Sequence, residues 1–213
     1  TGTETRDAVT SAQHLQPYLG YNIIRYYENI APGRNGGGWV DPFASNYSDR
    51  YAEQLWITLF AKAKEQTLFD FRSIARPILS TDRATWQGQH TSFDFDAMMQ
   101  PQNYNGGAPI KPTTIARVAG YTFEKVDSFL GKLGNPIGIK SYKPYHSIGE
   151  DFLQNYFGMI VLPMNMEPEF PAADSIILLT EEGKFDDKIV DKIKKQLTHG
   201  KTVVITSGLL HAI

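Results

Sequence analysis

The sequence predicts a mixed α/β protein built on parallel sheets. Short apolar runs alternate with amphipathic segments of helical length along most of the chain. Before residue 75 they follow the order run, loop, helix, run, which is a βαβ unit and implies a parallel sheet or a β/α barrel. From Pro136 onward the alternation resumes and reads as a doubly wound, flavodoxin-like half that is cut short. The expected division is therefore 1–135, with a long loop and a closing helix, and 136–213.

The first apolar run is Tyr21 to Glu28. Ile23, Ile24, Tyr26 and Tyr27 crowd together without alternation, which suits a strand covered on both faces. The segment APGRNGGG breaks it. A helix is expected from about Ser48 to Lys64, with Ser48 or Asp49 as its cap and Leu55, Leu59 and Phe60 at helical spacing. Trp56, in the middle of that helix, reads as packing. QTLFDFRSI follows as another short strand. Residues 75–112 are rich in polar, Gly and Pro residues and read as a long excursion of the kind that carries functional loops.

Thr113 or Thr114 then caps a helix whose face is marked by Ile115, Val118, Ala119, Phe123, Val126, Leu130 and Leu133, with Gly134 and Pro136 ending it. The second half follows as PIGIKSY, the helix-like SIGEDFLQNYFGM with Ser147 as a possible cap and Glu150 at capping-box spacing, IVLP, SIILLT, FDDKIVDKIKKQLTHG and KTVVITSG. In the last helix Ile189, Val190, Ile193 and Leu197 share one side.

Composition narrows the function. The chain has 213 residues, 41% hydrophobic and 21% charged, an ordinary globular mixture long enough to bury a core. A net charge of −2 without blocks of one sign offers no footprint for nucleic acid or for an anionic membrane, so neither partner is expected. No run approaches the roughly 20 apolar residues of a membrane helix. The absence of cysteine excludes disulfides, thiolate metal sites and a cysteine nucleophile. His14, His90, His146, His199 and His211 lie far apart with none at i, i+4, so no metal and no cofactor is expected. GRNGGG lacks the Lys-Ser or Lys-Thr of a phosphate loop, and Ser207 lacks the flanking glycine of a nucleophile elbow. Because the chain starts without a signal-like segment and stops just after a strand-like run, it reads as a piece of a longer protein.

The candidate catalytic residue is Glu28. In a β/α barrel the active site lies at the C-terminal ends of the strands, so a carboxylate where a strand gives way to a glycine-rich loop sits on the catalytic face. The alternative is a polar residue closing a strand and bonded to Arg25 or Arg34. Sugars present C–H faces that pack on aromatic rings, so Trp39, Tyr26, Tyr27 and Trp86 are candidate platforms, although one of the two tyrosines must face the core or the helix layer.

YYENIAPGRNGGGW, a helix and then TLFDFRS together resemble the last third of the barrel in the β-galactosidases of glycoside hydrolase family forty-two. The resemblance implies the C-terminal portion of a (β/α)8 TIM barrel and retaining hydrolysis of a β-galactoside-like bond in an oligo- or polysaccharide. It implies Glu28 as the nucleophile, with Trp39 as the loop tryptophan, Arg72 as the arginine closing the eighth strand, and Asn29 and Tyr27 shaping the sugar site. The extra residues RNGGG depart from the family spacing. Retaining glycosidases use two carboxylates about 5 to 5.5 Å apart. By the resemblance the acid/base lies upstream of Thr1; within view, Glu4 (with Arg6, at the end of a sixth strand) and Asp41 are the nearby acids.

The resemblance also makes 136–213 the first half of a domain like class I glutamine amidotransferases, used for trimer assembly, so a homo-oligomer is expected beside the carbohydrate substrate. An exported location follows only from the polysaccharide-like substrate. The competing expectation is a carbohydrate-binding or assembly protein of the same architecture without catalysis.

Overall fold

The structure is a computed structural model that describes residues 3–5, 16–40, 47–68, 70–83, 94–103, 106–149 and 153–213. Arg6, His14, Asp41, Trp86, His90 and Glu150, singled out above, lie outside the described residues. The chain divides into two compact units, one of Thr1–Ile24 and Gly36–Asn135, the other of Arg25–Asn35 and Pro136–Ile213.

In the first unit β1 (Thr3–Thr5), β2 (Gly38–Val40) and β3 (Gln66–Leu68) form a parallel sheet in chain order. α1 (Gln16–Ile30) follows β1 in the chain, its residues from Arg25 on belonging to the second unit, and α2 (Ser48–Phe60) runs between β2 and β3. The strand expected over Tyr21–Glu28 is therefore corrected: those residues lie inside α1. A short apolar run without alternation fits a doubly covered strand and a buried helix equally, and length arbitrates. This element extends over 15 residues and begins with Pro17 in its first turn, where a missing N–H costs nothing. Its burial is helical, with Gly20 and Ile24 four residues apart and Ile24 packing with Ala61 and Ala63.

The glycine run has a packing role as well as a turn role. The Gly38 N–H donates to the Glu65 carbonyl at 2.9 Å. A Cβ on Gly37 would stand 2.2 Å from that same oxygen, and one on Gly38 would stand 2.4 Å from the Thr58 methyl. Only glycine lets the chain enter β2 this close to the segment that leads into β3.

α2 starts at Ser48 as expected and ends at Phe60 rather than near Lys64, where Lys62 turns to φ 66°. Trp56 packs edge-on against Phe60 and Phe129, and its Nε1 donates to the Thr122 carbonyl at 2.8 Å. β3 is shorter than QTLFDFRSI. Asp70 accepts from the Ser73 N–H and starts the short α3 (Phe71–Ile74), which takes Arg72 off the strand end. Within the long excursion lie a 3-10 turn (Ser80–Asp82), α4 (Phe95–Met98) and an antiparallel bridge between Gln102 and Ile110. α5 (Ile115–Leu130) buries Ile115, Val118, Ala119 and Val126, four of the face residues read from the sequence. It ends at Gly131, earlier than Gly134. Ile115, Val118 and Ala119 close a core with Val40, Tyr51, Leu55, Phe95 and Met98.

In the second unit β4 (Ile139–Tyr142), β5 (Met164–Glu167), β6 (Ile176–Leu179) and β7 (Thr202–Ile205) are all parallel in the order β5-β4-β6-β7. α6 (Leu153–Met159) joins β4 to β5, α7 (Ile189–Thr198) precedes β7 and α8 (Ser207–Ala212) follows it, whereas β5 passes to β6 without a helix. Tyr142, Ile177, Leu179, Ile189 and Leu209 form the core, with Phe170 and Ile193 against it, while Val190 and Leu197 of the expected apolar stripe are exposed. Ser147 caps no helix: its hydroxyl donates to the Pro144 carbonyl at 2.6 Å, and Ile148 and Gly149 after it are not helical.

IVLP is not a strand either. The Val161 N–H bonds the Gly158 carbonyl and the Leu162 N–H bonds the Phe157 carbonyl, nested bonds that close a Schellman turn on α6. At the end of α7 the same pair of bonds runs from Gly200 to Leu197 and from Lys201 to Gln196. There the left-handed position is held by Gly200, φ 71°; on α6 it is held by Val161, φ 65°, a β-branched residue where the Cβ clashes with the backbone. Val161→Gly is expected to stabilise the second unit by about 0.5–1 kcal/mol. Its urea midpoint should rise at unchanged slope, and a lower midpoint would refute the strain.

Candidate functional site

Trp39 lies at the centre of β2, between buried Gly38 and buried Val40. Val40 enters the core, and strand alternation carries Trp39 to the other face, where it is 39% exposed. Its register partners are Glu4 on β1 and Thr67 on β3, and Thr67 is exposed too. The parallel sheet thus sets a row of glutamate, tryptophan and threonine positions side by side across three strands.

Glu28 is placed differently from the strand-end position expected of it. It sits in the last turn of α1, and its Oε1 accepts the Gly33 N–H at 2.6 Å, holding the turn that follows the helix. Asn29 beside it donates to Asn165 Oδ1 and to the Met166 carbonyl, both at 2.8 Å, and its own Oδ1 takes a long bond from Arg25. Asn29 fastens the helix end to β5. Tyr27 is 43% exposed, whereas Tyr26 is buried with its hydroxyl on the Lys143 carbonyl at 2.8 Å, which removes it as a platform. Burial, with the Glu182 carboxylate as a lesser cause, pushes the Tyr26 phenol up to about 12. Tyr27, Glu28 and Asn29 belong to the second unit and Trp39 and Arg72 to the first, so neither unit by itself brings the five together. Arg72 is exposed on α3.

In the second unit the polar groups gather at the carboxyl ends of β4 and β6. Glu182, fully buried, takes Lys143 Nζ at 2.8 Å on Oε1 and the Thr180 hydroxyl at 2.7 Å on Oε2. Gln154 Nε2 reaches Ser141 Oγ at 3.0 Å and Glu182 Oε2 at 3.4 Å. Beside this network a crevice of about 370 Å³ opens among Tyr142, Tyr145, Glu169, Phe185, Asp186 and Asp187. Asp186 Oδ2 receives the Tyr142 hydroxyl at 2.8 Å and Lys192 Nζ at 2.6 Å, and its Oδ1 receives the Lys188 N–H at 3.0 Å. Burial alone would raise its pKa, but these hydrogen bonds together hold the carboxyl below the usual range. Tyr142 is pushed up, first by burial and then by the bond to Asp186.

None of these second-unit groups was singled out from the sequence. The available signal was position: Lys143 directly follows β4, and Thr180 and Glu182 follow the apolar run of β6, which is where ligands collect in open parallel sheets. Ser207 opens α8 below the capping Thr206 and is not among the left-handed residues, so no strained nucleophile turn forms there. Among the described residues no group of His, Asp and Glu is arranged to hold a metal, and no described helix is long and apolar enough to cross a membrane.

Consecutive parallel strands joined by helices, followed by a second parallel sheet, define an α/β protein whose polar groups collect at strand ends. Residues 1–132 match the family model described as "Probable glycosyl hydrolase, catalytic domain", and with more than half of its length matched the chain belongs to that family of glycosyl hydrolases. Residues 134–213 match a model described as the second domain of an uncharacterized protein, SSO3021. No curated protein and no solved structure matches the chain.

Proposed function

We propose that the chain is part of a retaining glycoside hydrolase acting on β-galactoside-like linkages, and that β1, β2 and β3 are an arc of a (β/α)8 barrel. The observation that carries this reading is the sheet itself: parallel strands adjacent in chain order, each joined by a helix, within the stretch that matches a glycosyl hydrolase catalytic domain. The order β5-β4-β6-β7 supports a flavodoxin-like second domain, because it matches the first four strands of that fold.

In this reaction a carboxylate attacks the anomeric carbon while an acid protonates the departing oxygen. Water then opens the glycosyl ester. The register of Glu4 with Trp39 supports Glu4 as that carboxylate ahead of Glu28, whose oxygen already holds the Gly33 N–H. Trp39 would pack on the sugar's C–H face.

Incubation with a 2-deoxy-2-fluoro β-galactoside, tryptic digestion and mass spectrometry test the assignment. A label on the tryptic peptide that holds Glu4 and ends at Arg6 is the expected result, and one on the Tyr26–Arg34 peptide would return the role to Glu28. Absence of label together with no hydrolysis of an aryl glycoside panel would overturn the glycosidase reading in favour of a binding or assembly protein.

A further inference from the structure

We infer that the crevice at the carboxyl ends of β4, β5 and β6 is a second, non-catalytic binding site for an uncharged saccharide. Its position is the first ground. β4 lies between β5 and β6, so the connections leaving β4 and β6 diverge at this point, and open parallel sheets take their ligands in the crevice formed there.

Its walls are the second ground. Tyr145 and Phe185 approach from the loops after β4 and β6 and leave 47% and 45% of their surface in water. Two half-exposed rings around a cavity of about 370 Å³, within the range of roughly 300–1,000 Å³ for small-ligand sites, are apolar surface that a C–H face would cover favourably.

Charge selects among ligands. Asp186 is already committed to Tyr142, Lys192 and the Lys188 N–H. Exposed Glu169 and Asp187 remain against the Lys188 ammonium, since Lys184, which lies over the Phe185 ring, is paired with Glu181. Two carboxylates disfavour a phosphate or a uronate, whereas they accept hydrogen bonds from hydroxyl groups. Rings for the C–H face and acceptors for the hydroxyls together specify a neutral sugar. The saccharide assignment rests on the glycosidase reading; the site itself does not.

The test is calorimetric titration of the full chain with neutral galacto-, gluco-, manno- and xylo-tetrasaccharides, comparing wild type with Tyr145→Ala and Phe185→Ala. Phe71→Ala, which removes a ring 81% exposed in the first unit, is the control. Each crevice variant should weaken binding of at least one sugar by about tenfold or more, with the control unchanged. Circular dichroism checks that both variants are folded. Binding of no sugar, or binding indifferent to both rings, would overturn the proposal. Because the fluorosugar label reports on the barrel alone, ring-dependent binding without a label would reject the hydrolase and keep this site. A label without ring-dependent binding would do the reverse.

Discussion

Glu182→Ala destabilises the second unit by about 3 kcal/mol or more. The carboxylate is fully buried, and its partner Lys143 keeps only 18% of its side chain exposed. Removing one member of such a pair strands the other charge, a loss of about 3–5 kcal/mol. Truncation also takes the acceptor from the Thr180 hydroxyl and one acceptor from Gln154, while Lys143 keeps the Ser147 carbonyl and hydroxyl. Glu182→Gln retains the volume and an acceptor and should cost less. Lys143→Met with Glu182→Leu removes both charges and should recover most of the loss. Hydrogen exchange of the β4 and β6 amides reports the effect where it occurs; unchanged protection in Glu182→Ala would show that the pair contributes nothing.

Gly37→Ala should cost about 2–4 kcal/mol in the first unit. Its φ of 152° is one that side-chain-bearing residues rarely adopt, and the added Cβ would lie 2.2 Å from a backbone oxygen that cannot rotate away. At Gly38 the obstacle is the Thr58 methyl and the tip of Ile24, which yield more readily, so about 1–3 kcal/mol is expected there. Gly36 has open space around it, and Gly36→Ala should stay within about 0.5 kcal/mol of wild type. Urea unfolding followed by tryptophan fluorescence reads all three, because Trp39 and Trp56 both lie in this unit. Equal midpoints for the Gly36 and Gly37 variants would refute the close approach.

Candidate-site legibility followed from how local each signal was. Trp39 was identified from its residue type beside a glycine run, and the structure keeps it half in water on a strand. Glu28 was identified through the strand expected before it, and once that run coiled into α1 the carboxylate became the acceptor for a turn N–H. Glu4 was, with Asp41, one of two nearby acids. Its register with Trp39 is a relation between strands with 34 intervening positions, and no local pattern expresses it.

The sequence by itself determined the α/β class, α5 with its buried face, and the strands β4, β6 and β7, since each of these is a periodicity or a run that survives any particular packing. Tertiary structure alone decided that Tyr21–Glu28 is helical, that Asn29 bonds Asn165 and Met166 of β5 within the second unit, that Gly37 and Gly38 are required by the Glu65 carbonyl and the Thr58 methyl, and that Lys143 meets Glu182. In each case the deciding partner lies far along the chain. The free energy comes from excluding water between two segments, so it is absent from either segment read alone.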